Sequence, residues 1–238
     1  MKLSVIIPTL NEALYLPLTL KKVRENYLRG EPHEIIVSDS GSEDGSPEIA
    51  LRYGVKVVQS EQFSPGRAKA LNKGAASATG DVLFFLDADS IPPQGYDECI
   101  EQALRNAAAV GGAFEFSLDG EGFGLRLVEL INRIRYRARK RFYGDQGIFV
   151  RADVFTEVGG YPEIRILEAA HFCKTLSRVG KLVLVKRKVK TSPRRFVRGG
   201  VYRVLAEDVK IWFLDLLGIS VDKYADRYWD ENRLRMKD

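Results

Sequence analysis

Apolar and polar positions alternate in blocks along the first 116 residues. Residues 3–8 form a short apolar run of strand length, and a helical spacing follows through Leu14, Leu18, Val23 and Tyr27. Thr9-x-x-Glu12, with Asn11 between, has the spacing of a capping box that would start this helix. EIIVS at 34–38 predicts a second strand, Ser46-Pro47 the start of a short helix ending near Gly54, and residues 55–58 a third strand. An Ala-rich helix is expected over 67–78, with Gly80 ending it. DVLFFL at 81–86 is apolar throughout, the pattern of a strand buried on both faces. Pro92-Pro93 opens a further helix to about residue 107, and residues 110–116 read as another strand. From Gly122 the pattern turns helical, with strands only near 147–150 and 181–185. The rhythm predicts an α/β fold: a mostly parallel central sheet, helices on both faces and a helical C-terminal elaboration. No linker or repeat interrupts it, so residues 1–238 are expected to form a single domain.

Composition narrows the class without changing the fold. Hydrophobic residues make up 45% of the 238 and charged residues 29%, which excludes a disordered or collagen-like chain. Cys99 and Cys173 have no metal-binding or Cys-x-x-Cys spacing, so a reducing, cytoplasmic setting is expected. No apolar run is long enough for a signal peptide or a spanning helix. The net charge of +5 is unevenly placed. Residues 126–141 hold seven basic side chains against one acid, Glu129, and a second basic cluster runs from Lys186 to Arg203. These read either as solvated faces or as a surface for phosphates, of a substrate or of a membrane. No nucleic-acid motif accompanies them, so nucleic acid is not expected as a partner. Residues 201–217 form an amphipathic pattern that either packs on the protein's own core or lies weakly against the inner face of a membrane.

In a doubly wound sheet the ligand sits beyond the carboxyl ends of the strands. There this chain carries neither Gly-x-Gly-x-x-Gly nor a P-loop, but Pro8-Thr9-Leu10-Asn11-Glu12, then SDSGSEDGS at 38–46, then Asp87-Ala88-Asp89. Carboxylates repel phosphate unless a cation intervenes. If residues 87–89 are extended, Asp87 and Asp89 point to one side and can share Mg²⁺ or Mn²⁺, whose open positions take substrate phosphates. Asp44 reads as a turn residue and His33 as a surface residue.

The ordered set PTLNE, SDSGSEDGS, GRAKALNKGAASATGDVLFFLDADS and GIFVRADVFTEVGGYPE resembles glycosyltransferase family two. The resemblance implies the glycosyltransferase A fold. Residues up to about 115 would form a nucleotide-sugar-binding half, and residues from about 116 an acceptor-side half. TSPRRF, at 191–196, with the helical stretch after it, resembles a bacterial subgroup found beside radical-SAM and selenium-domain proteins. By resemblance, Pro8, Thr9, Glu12 and Asp39 line the nucleoside. Arg67 and Lys69 meet the donor phosphate or sugar, Asp87 the ribose or sugar, and Asp89 the metal. Gly159-Gly160-Tyr161-Pro162 resembles the acceptor-side turn. The implied reaction is a metal-dependent, inverting transfer from a UDP- or GDP-linked sugar to a small-molecule or lipid-linked hydroxyl. The alternative is a nucleotide-sugar-binding protein with weak or no catalysis.

One departure stands out. Where the family carries a Glu-Asp pair, whose Asp acts as the base, this chain reads Glu168-Ala169. Glu168, His171 three residues on, and Asp145 in the Tyr143–Gly147 loop are the candidate bases. His171 could equally pack or cap.

Overall fold

The structure, a computed structural model, describes residues 1–59 and 67–225. Among the described residues eight strands make one sheet: β1 (Leu3–Thr9), β2 (Glu34–Asp39), β3 (Lys56–Gln59), β4 (Val82–Phe85), β5 (Ser90–Ile91), β6 (Ala109–Leu118), β7 (Ile148–Arg151) and β8 (Lys181–Thr191). Their order is β3-β2-β1-β4-β7-β6-β8-β5. β1 pairs in parallel with β2 and β4, β2 with β3, and β6 with β8. β7 runs antiparallel between β4 and β6, and β5 antiparallel to β8. The mostly parallel sheet expected from the alternation is therefore present, with β4 near its middle and buried along its whole length.

Side chains two apart in a strand share a face, and this sorts the core into two layers. Val5, Ile7, Val82 and Phe84 face one way, beneath α1 (Leu16–Glu25) and α4 (Tyr96–Leu104), joined by Ala50 of α2 (Ser46–Arg52). Ile6, Leu83 and Phe85 face the other, beneath α3 (Arg67–Ala76), α5 (Phe123–Arg139), α6 (Ala152–Glu157) and α7 (Glu168–Val179). Two further helices, α8 (Arg194–Gly199) and α9 (Val201–Leu216), add Phe196, Val204 and Leu205 to this second layer.

Three local expectations change. First, α1 begins at Leu16, and neither Thr9 nor Glu12 caps it. Asn11 takes a left-handed φ of 52°, and the following loop is laced to the one after β2. The Asn11, Glu12 and Ala13 N–H groups donate to Ser42 Oγ (2.8 Å), Ser46 Oγ (2.9 Å) and Asp44 Oδ2 (2.8 Å). Side chains of the neighbouring loop thus satisfy donors that a capping box would have served, and Asp44 is the turn residue expected. Second, β8 continues to Thr191, because it stays paired with β6 as far as Leu118, while its other edge along the charged run 186–190 is covered only by the two-residue β5. Charge on such an exposed edge discourages pairing with other chains, and it hides the strand from a hydrophobicity pattern. Third, residues 87–90 are not extended: the Ser90 N–H donates to the Asp87 carbonyl (3.0 Å), closing a turn. Pro65-Gly66, expected to precede α3, lie outside the described residues.

Phe84 locks β4 to one layer: it stacks on Tyr96 with ring centroids 5.3 Å apart and meets Phe114 edge-on at 5.8 Å. Phe84→Ala is expected to cost about 3–5 kcal/mol of stability by denaturant unfolding. A loss under about 1 kcal/mol would mean that the surrounding side chains collapse into the space.

Candidate active site

The loops after β1 and β4 bring acidic side chains together, and two arginines answer them. Asp87 and Asp89 sit in the turn after β4. Thr19 of α1 fixes this turn by donating to the Ala88 carbonyl (2.7 Å). The end of β8 fixes it from the other side: Ser90 and Thr191 hydroxyls bond at 2.6 Å, and the Ser192 N–H donates to the Asp89 carbonyl (3.1 Å). That contact delivers Arg194, at the start of α8, to Asp89 Oδ2 (3.0 Å) and to both oxygens of Glu12 (2.5 and 2.7 Å). Its guanidinium also lies 4.2 Å from the centre of the Tyr15 ring. Arg194 is buried, which opposes its charge, yet Asp89 and Glu12 hold its pKa above the ordinary arginine value.

Arg67, the first residue of α3, forms the second clamp. Its guanidinium donates to Asp87 Oδ1 and to Glu168 Oε1 (2.8 Å). Burial opposes the charge here too, and the two carboxylates more than restore it. The head group lies flat against Gly144, where a Cβ would collide with it. Asp87 and Asp89 are therefore split between two arginines rather than aimed together at one point, as the extended reading of 87–89 had them.

Asp145 follows Gly144 in a single turn of 3-10 helix, pinned by Gln146, whose side chain accepts from the Tyr143 N–H (3.0 Å) and donates to the Phe114 carbonyl (3.1 Å). The Asp145 carboxylate has an inaccessible oxygen, Oδ1, without a hydrogen-bond partner. Burial, against the opposing pull of Arg135 and Arg67 and with a smaller push from Asp87, leaves its pKa raised to about 7. A carboxylate that titrates near neutrality beside a basic cluster is suited to taking a proton.

The other candidates separate. Asp39 is buried and accepts from the Gly41 and Ser42 N–H groups (2.9 Å each) and from Ser42 Oγ, so it shapes the loop after β2 and retains about one acceptor position. Thr9 is buried with its hydroxyl turned back to the Ile7 carbonyl (3.3 Å), and Pro8 lies half-buried in β1 opposite Ser38. Lys69 is exposed, as is His33, which meets Thr79 Oγ1 at 3.1 Å. Asn72 holds the acceptor-side turn by accepting from the Tyr161 N–H (2.8 Å) and donating to its carbonyl (2.9 Å). His171 bonds Asp215 of α9 (2.8 Å), whose other oxygen accepts from Arg141 (3.0 Å). It belongs to the seam between α7 and α9, while Glu168 on the same helix belongs to the Arg67 clamp. Ala169 is buried in the core layer.

Arg194 is the functional side chain that a local reading misplaces. The basic cluster at 194–198 reads as part of the acceptor half, yet Arg194 reaches Glu12 across 182 residues. Tyr15 and Gly144 carry no sequence signal at all. Among the described residues no three His, Cys, Asp or Glu side chains group as a metal site. The donor set still suits a hard divalent cation of the kind that takes one or two carboxylates and completes its shell with substrate phosphates. Asp87 and Asp89 are the carboxylates that could supply it, each here paired to a guanidinium.

Comparison with known proteins is consistent with this geometry. The family model described as Glycosyl transferase family 2 matches residues 4–156. Glycosyltransferase AglE of Haloferax volcanii is 26% identical over 91% of this chain and 76% of its own length. Dolichol-phosphate mannosyltransferase of Pyrococcus furiosus is 36% identical over 48% of this chain, which spans only 34% of that protein. Among solved structures, glucosyl-3-phosphoglycerate synthase from Mycobacterium tuberculosis, in complex with Mn²⁺, uridine-diphosphate-glucose and phosphoglyceric acid, superposes with a TM-score of 0.66. It is 24% identical, over 92% of this chain and 80% of that one, and the likeness shows the shared fold. With the family model covering well over half the chain, the protein belongs to glycosyl transferase family 2 and is a glycosyltransferase.

Proposed function

We propose that the protein moves a sugar from a UDP- or GDP-linked donor to a hydroxyl acceptor, by a single inverting displacement that uses Mg²⁺ or Mn²⁺. The observation that carries this reading is the pair of arginine clamps on Asp87 and Asp89 at the carboxyl ends of β1 and β4. Carboxylates there can engage sugar or ribose hydroxyls and a cation, and the guanidiniums are matched to a diphosphate. Pro8, Thr9, Glu12 and Asp39, at or just beyond the ends of β1 and β2, are the residues we assign to the nucleoside side of the donor. The Mn²⁺ and nucleotide-sugar in the mycobacterial structure support the same choice of donor and cation. A bound divalent cation would neutralise charge on the departing diphosphate. The narrower likeness to one bacterial subgroup, carried by TSPRRF and the helical stretch after it, belongs to the same proposal. Dolichol phosphate in one relative's name and phosphoglyceric acid in the structural complex support lipid-linked and small-molecule acceptors respectively.

The displacement needs a base on the acceptor side. As the acceptor oxygen bonds the anomeric carbon, its proton goes to the base and the electron pair of the breaking bond leaves with the nucleoside diphosphate. Asp145 is the base we favour, because Glu168 is committed to Arg67 and His171 to Asp215. In this account Glu168 is a positioning residue that aims Arg67, and Ala169 leaves the usual carboxylate position empty. The proposal is tested by turnover on a panel of UDP- and GDP-sugars with Mn²⁺ and with chelator. Donor binding without turnover on any acceptor would support the binding-protein alternative.

The pH behaviour follows from the sign of the Asp145 shift. Its folded pKa, about 7, lies above the unfolded value of 3.8, so its neutral form favours folding below the lower value. That contribution is lost as pH rises from about 4 to 7, where the ionised, reactive form appears. We expect kcat/KM to rise with pH up to about 7 and then level. Asp145→Asn should remove that limb and cost at least about 10²-fold in turnover, with a thermal midpoint at pH 8 no lower than wild type. An unchanged limb in this variant would discard Asp145. Glu168→Gln is expected to raise KM for the donor more than it lowers kcat, and His171→Ala to change turnover by less than about tenfold. A Glu168→Gln loss confined to kcat would return the base to Glu168.

A further inference from the structure

α5 and α9 lie side by side and run the same way. At their starts Gly124 is so close that a Cβ there would come within 3.0 Å of Val201 Cγ1. At their ends Arg141 donates to Asp215 (3.0 Å). Both helices bury one face in the same core layer, α5 through Leu125, Val128 and Tyr136, α9 through Val204 and Leu205. The faces turned away from that core therefore look in a common direction. Each carries an apolar stripe at helical spacing: Phe123, Leu130 and Ile134 on α5, and Tyr202, Phe213 and Leu217 at the end of and along α9. Five of these six are more than half exposed, and Leu130 is 49% exposed. α9 is thus amphipathic on two sides. Packing on the core accounts for only one of them.

The charges around the stripes decide what could cover them. Arg126, Arg133 and Arg137 repeat at the same spacing along the outer flank of α5, and Arg203 and Lys210 along the opposite flank of α9. The acids that balance these helices are drawn inward. Glu115 and Glu129 are buried behind Arg137 and Arg126. Asp208 and Asp215 turn to Arg195 and Arg141. Glu207 lies one turn beyond Arg203, outside the apolar stripes. An apolar centre with basic margins is the composition of a surface that seats on anionic lipid, aromatic and aliphatic tips in the headgroup boundary and cations over the phosphates. Among the described residues no helix is long and apolar enough to cross a membrane, which leaves seating on the surface as the mode.

We propose that the paired α5–α9 face docks the protein on an anionic lipid bilayer. The docking stands apart from the identity of the acceptor. It has a consequence for it all the same: α8, which holds Arg194 against Asp89 and Glu12, joins α9 through Gly200, so a lipid-seated α9 puts the site one short helix from the membrane.

The test is co-sedimentation of the full chain with vesicles of phosphatidylcholine alone and of phosphatidylcholine with phosphatidylglycerol, at low and high salt. We expect binding to the anionic vesicles to exceed that to neutral ones by about tenfold or more at low salt and to fall away near 0.5 M salt, roughly, where screening is short-ranged. Leu130→Gln with Phe213→Gln, and separately Arg133→Gln with Arg137→Gln, should each lower anionic binding by about tenfold while leaving nucleotide binding unchanged. No binding to anionic vesicles at low salt overturns the proposal, as does equal binding to neutral vesicles. Sedimentation as a dimer that Leu130→Gln and Phe213→Gln convert to monomer would overturn it too, assigning the face to a second copy of the chain.

Discussion

Desolvated carboxylate is the constraint around which the active end of this protein is built. Glu12, Asp87, Asp89 and Glu168 converge where the strands end, and each side chain is at most 23% exposed. Such a cluster would drive itself to protonate or force the loops apart unless positive charge were built in. Arg67 and Arg194 supply it, each shared between two acids. The arrangement explains details that look unrelated along the chain. Gly144 has no side chain because the Arg67 head group occupies that space, and α8 starts where it does because β8 must carry Arg194 to the turn after β4. Asp145 lies near these charges but is bonded to neither arginine, and it is burial, more than Asp87, that pushes it up to about 7.

The same constraint gives the site its capacity for exchange. A guanidinium bound to carboxylates can transfer to phosphate oxygens without changing its own protonation, since arginine stays charged throughout. A ligand that brings both a diphosphate and a divalent cation offers each partner a substitute: phosphate for the arginines, metal for Asp89. On the proposed reading, the clamps are the form the donor site takes before such a ligand binds.

Much of the frame was legible because it is periodic. The alternation over 3–116, the wholly apolar strand over 82–85 and the turn chemistry of Asp44 follow from neighbours in sequence, and so did the rule that points to residues beyond the strand ends. What escaped depends on partners far away. No local pattern tells that Glu12 meets Arg194 instead of capping a helix, or that Ser42, Asp44 and Ser46 satisfy the loop before α1. The expectation that Asp87 and Asp89 share one direction failed on a single backbone hydrogen bond, which turns the chain one residue too early for strand geometry. Glu168 and His171 share one helix face in the sequence, and their partners, Arg67 and Asp215, separate them. Chemistry carried by residue type was readable; chemistry assigned by pairing was not.

The central claim is that the clamped carboxylates are a donor site completed by a divalent cation. Calorimetric titration of UDP and of GDP into the full chain, with Mn²⁺ and with chelator, tests it most directly. The account predicts that one of the nucleotides binds at least about tenfold more tightly with Mn²⁺, and that Asp89→Ala, still folded, loses the difference. Equal affinity in Mn²⁺ and in chelator for both nucleotides, or a metal effect that survives Asp89→Ala, would contradict it.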